Sequence, residues 1–312
     1  MEKKDKIYVA GEETMIGTAI LQTLEREGYE HIVGRPGKEP DLTDPGQVDA
    51  FFIQTSPEYV FLAAGRSGGI EANQKYPAEL ILNNLLIECH VIHSAYRRGV
   101  KKLLYLASSC SYPKNCLQPM REEALLSGPL EPTNEAYAVA KIAGIKLCQS
   151  YRKQYGANFI SAIPANAFGP GDDFNPESSH VIPALIRRMH RAKRERARSI
   201  EVWGTGSAQR EFVFADDLAE ACLFLMNTYD GTEPINLGAG TALSIKDLAE
   251  MIRDVVGYDG SIIFDTTKPD GMPIKLLDSG RLMSMGWRPR SSFKPSLEIT
   301  YRWFLENGNG DR

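Results

Sequence analysis

A chain of 312 residues can bury one large α/β core or two joined lobes, and its apolar (43%) and charged (24%) fractions are those of an ordinary globular protein. The net charge of −4 gives no general basic field for nucleic acid, and no stretch is long and apolar enough to be expected to cross a bilayer. Met1–Lys6 has no apolar signal core, so a cytoplasmic protein is expected; five cysteines, odd in number and without metal-ligand spacing, predict neither a disulfide framework nor a zinc site.

The first half alternates strand and helix. "KIYVAG" reads as a strand ending at Gly11, "GTAILQTLEREG" has helical spacing and stops at Gly28, and "EHIVG" is a second strand. "VDAFFIQ", "YVFLAAG", "AELILNNLLIECHVIHSAYRRG" and "KKLLYLASS" continue as helix, strand, helix and strand, and "ANFISAIPAN" adds another strand. This order predicts a Rossmann-type α/β fold, a doubly wound parallel sheet covered on both faces. Beyond Gly169 the alternation loosens into the loop "GPGDDFNPESSH". The basic run "RRMHRAKRERAR" follows, read as a solvated helix face, and then the short strand "IEVWG". "SIKDLAEMIRDVVG" and "SIIFDTT" read as a helix and strand of a second lobe. With no linker or repeat, residues 1–170 are expected to form a dinucleotide-binding domain to which 211–240 return. Residues 171–210 and 241–312 then form a smaller, interleaved substrate-binding lobe.

The first strand-to-helix turn, "GEETMIG", sets Gly11 and Gly17 six apart, as a phosphate-binding turn needs, although a purely structural turn would use them too. Glu12 and Glu13 do not favour a polyphosphate there, whereas Arg35 at the end of the second strand suits a ribose 2′-phosphate. NADP(H) is therefore expected, with NAD(H) left open. At the end of the strand "KKLLYLASS" comes the cluster "SSCSYPK", starting at Ser108. Tyr137 and Lys141 follow, one helical turn apart behind the candidate caps Thr133 and Asn134. A lysine beside a tyrosine lowers the phenol pKa and a serine hydroxyl can hold a carbonyl oxygen, the set that hydride transfer to a ketone requires. Taken alone, Cys110 reads more readily as a small buried apolar residue, and His180 reads as well as a helix cap.

The motifs "LAAGRSGGI", "SSCSYPK", "NPESSHVIPALIRR", "VWGTGSAQREFVFADD", "KPDGMPIKLLD" and "YRWFLEN", in this order over nearly the whole length, resemble the extended short-chain dehydrogenase/reductases that act on GDP-linked sugars. The resemblance implies a homodimeric NADPH enzyme. It would epimerise C3 and C5 of a GDP-4-keto-6-deoxy-mannose and then reduce the C4 ketone. By motif it assigns Ser108, Tyr137 and Lys141 to the reductase and Cys110 and His180 to the epimerase base and acid. Protons beside a ketone are acidic because the carbanion delocalises onto the oxygen, and epimerisation needs a base on one face and an acid on the other. It also implies coenzyme contacts from Gly11, Thr14, Met15, Ile16, Gly17, Arg35, Asp41, Leu42, Ala63, Ala64, Leu106, Ala107, Lys141, Pro164, Asn166, Ala167 and His180. For the substrate, Arg188 and Arg210 would clamp the diphosphate, Trp203 would cover the base or sugar, and Asp270 and Lys275 would bond guanine or ribose edges. Several positions depart from the pattern: Thr14 replaces a glycine, Glu12 and Glu13 replace polar or basic residues, Arg66 replaces a lysine and Ile274 a basic residue. A colitose- or heptose-type 4-keto sugar therefore stays open as substrate, as does a nucleotide-sugar 4-epimerase or dehydratase with tightly bound NAD.

Overall fold

The computed structural model describes residues 1–34, 37–268 and 270–307. The chain runs through β1 (Lys6–Ala10), α1 (Met15–Arg26), β2 (His31–Val33), α2 (Pro45–Thr55), β3 (Tyr59–Leu62), α3 (Ile70–Lys75), α4 (Pro77–Arg97), β4 (Lys102–Leu106), α5 (Glu135–Tyr155) and β5 (Phe159–Pro164). It continues through β6 (Asn166–Phe168), α6 (Val181–Glu195), β7 (Ser199–Trp203), β8 (Gln209–Phe214), α7 (Ala215–Thr228) and β9 (Ile235–Leu237). The last elements are β10 (Ala242–Ser244), α8 (Ile245–Val256), β11 (Ser261–Asp265), β12 (Ile274–Lys275), α9 (Gly280–Ser284) and α10 (Phe293–Glu306).

Six strands form one parallel sheet in the order β2-β1-β3-β4-β5-β9, the expected Rossmann-type arrangement. Every residue of β4 and β5 is buried, which is why these strands read as continuous apolar runs rather than as alternating ones. The exception in β4, Lys102, is tied by its ammonium to the Met226 carbonyl at 2.8 Å and to Asp230 at 2.9 Å. Strand order reverses between β1 and β3, so the ligand crevice of such a sheet falls at the carboxyl ends of these strands. Local chemistry supports the helices around it: the Thr14 hydroxyl caps α1 by accepting from Gly17, and Asp44 caps α2 ahead of Pro45.

A second core gathers Phe168, Phe174, Ile186, Met189, Phe212, Phe214, Ile252 and Phe304. Its sheet pairs β8 with β10, β12 and β6, and β7 pairs separately with β11. Because β8 belongs to this sheet as far as Phe214, the chain returns to the first unit at Ala215, where α7 packs on α1, and then through β9. No described helix is long and apolar enough to cross a membrane.

The approach of α5 to β4 depends on one missing side chain. A Cβ at Gly144 would lie 2.4–2.6 Å from three atoms of the Tyr105 ring. Helix propensity alone favours alanine by about 1 kcal/mol, but overpacking against a buried ring costs about 1–3 kcal/mol or more. Gly144→Ala is therefore expected to lower the urea midpoint; an unchanged or raised midpoint would contradict this packing.

Candidate active site

The last residue of β4 leads directly into a short 3-10 turn, Ser109–Ser111, capped by the Ser108 hydroxyl, which accepts from the Cys110 N–H at 3.3 Å. The first turns of α5 bring Tyr137 to the same spot, close enough to Ser108 for hydrogen bonding to favour the phenolate. One turn on, Lys141 is almost fully buried, with Nζ 3.1 Å from Glu88 Oε1 and 3.3 Å from the Leu106 carbonyl. The three residues assigned to the reductase thus lie at the same strand end, yet the electrostatics differ from the sequence expectation. Burial, followed by Cys110 and Glu88, pushes the Tyr137 phenol well above its ordinary value, and the Ser108 bond only partly opposes this. Lys141 spends its charge on Glu88, a residue that sequence reasoning passed over because it lies inside an apolar helix pattern.

Across the site, Cys110 Sγ lies 3.2 Å from Asn134 Nδ2 and 3.4 Å from Lys275 Nζ. Asn134 does stand at the cap position of α5, but its side chain makes no capping bond and serves the thiol instead. Lys275, expected at guanine or ribose, is brought to Cys110 by the short pairing of β12 with β8. His180 stands at the N-cap position of α6, where its side chain makes no capping bond. Desolvation lowers its imidazole below the ordinary value, Asp173 opposes the shift and Lys275 adds to it. The loop that carries His180 is pinned to Gly69, whose N–H donates to the Ser178 carbonyl at 2.9 Å.

The residues assigned to the coenzyme lie mostly along the carboxyl edge of the sheet. Gly11 has φ +88°, and a Cβ there would sit 2.5 Å from Ala64 backbone atoms; one at Gly17 would sit 1.9 Å from the Gly11 carbonyl. Glycine alone fits both places, and the resulting turn at the start of α1, with Thr14, Met15 and Ile16, fits a dinucleotide diphosphate. Ala63 and Ala64 follow β3, Leu106 and Ala107 end β4, Pro164 ends β5, and Asn166 and Ala167 lie in β6. Asn166 already donates to the Glu211 carbonyl at 2.8 Å. In the loop after β2, Asp41 holds Thr43 and Leu42 is buried; Arg35 lies outside the described residues. Glu39 escaped the sequence reading: one of its oxygens takes both the Gly11 N–H at 2.6 Å and the Tyr8 hydroxyl at 2.8 Å. Glu12 is buried beside it with both carboxyl oxygens unpartnered among the described residues, and burial lifts it to about 7.

The residues assigned to the nucleotide are held by backbone. Arg188 donates to the Glu201 carbonyl, and Arg210 donates to those of Gln209 and Met272 at 2.7 and 2.6 Å. Asp270 closes the Gly204–Thr205 turn through the Thr205 N–H and hydroxyl, at 2.7 and 2.8 Å. Trp203 ends β7 with 58% of its surface open, and the Lys268 ammonium stands 5.5 Å from its ring centre.

Residues 7–238 match the model of the NAD dependent epimerase/dehydratase family. The chain belongs to that family. It is 52% identical over 306 residues to GDP-L-fucose synthase 1 of Arabidopsis thaliana, covering 98% of this chain and 95% of the relative. Among solved structures, a GDP-6-OMe-4-keto-L-xylo-heptose reductase from C. jejuni matches with TM-score 0.93 at 34% identity, covering 98% of this chain and 99% of that one. A GDP-L-fucose synthetase from Naegleria fowleri bound to NADP matches with TM-score 0.91 at 29% identity, covering 99% and 96%.

In the loop that delivers His180, buried Asp172 accepts from the Asp173 N–H through one oxygen and leaves the other unpartnered among the described residues. Burial raises it from 3.8 to about 7. A carboxyl raised in the folded state stabilises the fold only while protonated, so its contribution is lost as pH climbs from about 4 through about 7. Asp172→Asn is expected to be more stable than the parent above pH 7, by on the order of 2–4 kcal/mol, with the difference vanishing near pH 4. Urea titrations at the two pH values check this; equal midpoints at high pH would show that the carboxylate is solvated.

Proposed function

We propose that the protein is an NADPH-dependent epimerase-reductase of the GDP-L-fucose synthase type. It inverts C3 and C5 of GDP-4-keto-6-deoxy-D-mannose and reduces the C4 ketone. What supports the reading is that the turn after β4 and the start of α5 gather Ser108, Cys110 and Tyr137, with the Lys275 ammonium 3.4 Å from the thiol and felt by the His180 imidazole; this suits one pair of hydroxyls to a carbonyl oxygen and the other groups to protons on the flanking carbons. The 52% identity to a GDP-L-fucose synthase supports the substrate.

The residues divide the work. Ser108 and Tyr137 hold the C4 oxygen, stabilising the enolate while a proton leaves C3 or C5 and then protonating the alkoxide. Cys110 removes the proton as thiolate, with the Lys275 ammonium 3.4 Å away to face that negative charge, and His180 returns a proton from the opposite face. The Gly11–Gly17 turn and Lys141 would hold NADPH, which when bound would supply the hydride for C4. Arg188, Arg210 and Trp203 bind the GDP moiety, with Asp270 shaping the turn beside Trp203. We also place the protein in the cytoplasm as a homodimer, for which the exposed apolar residues Leu82 on α4 and Val139 on α5 are suited.

Incubating the protein with GDP-4-keto-6-deoxy-mannose in deuterated water separates the steps. Tyr137→Phe is expected to lose ketone reduction by about 10²–10⁴-fold while deuterium still enters C3 and C5, more slowly because Ser108 alone then holds the enolate oxygen. Cys110→Ala is expected to lose that exchange and to reduce the sugar without inverting it. If the parent protein neither exchanges nor reduces this sugar, the reading fails. Turnover of a heptose or colitose precursor in its place would move the reading away from the fucose precursor, a heptose towards the reductase from C. jejuni.

The acidic first turn bears on the coenzyme. A 2′-phosphate contact by Arg35 is worth roughly 1.5–3 kcal/mol, and Glu12, Glu13 and Glu39 reduce the gain without reversing it. NADPH should give the higher kcat/KM, and Arg35→Ala should hurt NADPH more than NADH. A parent enzyme that prefers NADH would refute this balance.

A further inference from the structure

The reductase set contains a buried acid that the reaction above does not use. Glu88 sits in the middle of α4 with 1% of its side chain exposed, among Leu80, Ile87, Val91 and Ile92. A carboxylate in such surroundings is expensive unless it is paired. One of its oxygens is paired twice: Lys141 Nζ lies 3.1 Å from Oε1 and the Tyr105 hydroxyl donates to the same atom at 2.5 Å. Oε2 is equally buried and has no partner among the described residues. A purely structural carboxylate would be expected to satisfy both oxygens.

The neighbouring turn explains the direction of the pairing. Asn84, four residues before Glu88 and on the same helix face, binds the backbone of Arg66 through both ends of its amide, at 3.2 and 2.9 Å. This fixes the bend at Gly65, and a Cβ at Gly65 would come within 3.2 Å of the Lys141 ammonium. Thus α4 presents two polar side chains to the carboxyl edge of the sheet, one shaping the loop after β3 and the other seating the lysine of α5 beneath it. Of the three ammonium hydrogens, one is directed to Glu88 and one to the Leu106 carbonyl, which leaves one for a ligand in the crevice.

We infer that Glu88, braced by Tyr105, is a positioning residue of the reductase half: it holds the buried Lys141 ammonium aimed at the crevice, and offsets the field of that ammonium at Tyr137 so that the phenol keeps its proton. The inference rests on the reductase reading given above. Tyrosine-lysine pairs can work as a base, for alcohol oxidation, or as an acid, for ketone reduction. Lys141 without a counter-charge would pull Tyr137 towards phenolate, whereas the paired ammonium lets the phenol act as the donor that reduction needs. Burial and Glu88 both act on Tyr137 in that direction. The titratable groups that face the cluster are Tyr105 from β4, Cys110 from the turn after β4, Tyr137 and Cys148 from α5 and Cys89 from α4 itself; among these and Lys141, only the lysine is cationic.

Glu88→Gln keeps the shape and an acceptor but removes the charge. The unpaired ammonium then either loses its proton at lower pH or draws the proton off Tyr137 at lower pH, and both outcomes end reduction sooner as pH rises. The alkaline limb of kcat/KM for ketone reduction should move down by about one pH unit or more. The deficit should grow to about tenfold near pH 9 while being much smaller near pH 6.5. Glu88→Asp, which restores the charge, should return most of the limb and serves if the glutamine variant does not fold. NADPH binding followed by fluorescence needs no sugar, so it tests Lys141 even if the substrate assignment is wrong; in Glu88→Gln its affinity should fall more at high pH than at low. A pH profile and coenzyme affinity that keep the parent's shape, with only a changed melting temperature, would overturn the inference and leave Glu88 a packing residue.

Discussion

A parallel sheet buried on both faces leaves the backbone no polar surface except at the strand ends, and this constraint organises the protein. β4 and β5 are buried throughout, so whatever they contribute to chemistry must appear past Leu106 and Pro164. There β4 turns at once into the Ser108–Cys110 corner, β3 into the Ala63–Gly65 bend and β1 into the Gly11 turn. Helices that cover the sheet then send side chains to the same edge: Tyr137 and Lys141 from α5, Asn84 and Glu88 from α4.

Two lysines illustrate how that edge separates its charges. Lys141 is buried and paired to a carboxylate, so its field is contained near the coenzyme side. Lys275 faces a thiol that has no fixed charge of its own nearby, and its field also reaches His180. Under the proposed function, containment suits a tyrosine that donates a proton, whereas an uncontained cation suits a cysteine that becomes negative. The second lobe exists in part to deliver this second cation: β12 pairs with β8 over only Ile274–Lys275, and that pairing sets Lys275 over a residue 165 positions earlier.

The acids at the first turn belong to the same accounting. Glu39 uses the N–H of Gly11 and the hydroxyl of Tyr8, and Glu12 is left buried and near neutral protonation balance at about 7. The glycine geometry still makes a dinucleotide turn, because it depends on backbone approach to Ala64 and not on the intervening side chains.

The alternation of strands and helices, the glycine spacing and the Tyr137–Lys141 step were all legible along the chain, since each is a local pattern of period 2, 3.6 or one turn. The ordered motifs carried the family resemblance and with it Cys110 and His180. The partners were not legible. Glu88 looks like an interruption in an apolar helix until α4 lies against α5; Asn134 looks like a cap until the Ser108 corner brings a thiol to it; Lys275 looks like a nucleotide ligand until β12 joins β8. The expected lowering of the Tyr137 phenol went wrong for the same reason, because the sign of a shift is a sum over neighbours and burial that adjacency along a helix does not contain. Sequence by itself determined which groups could do chemistry and on which elements they ride, through local periodicity and backbone preference. Only the tertiary structure decided which charges meet in a dry pocket, and so whether each group stands ready as acid, base or clamp, because those interactions join residues 50 to 165 positions apart and their strength depends on the solvent that folding removes.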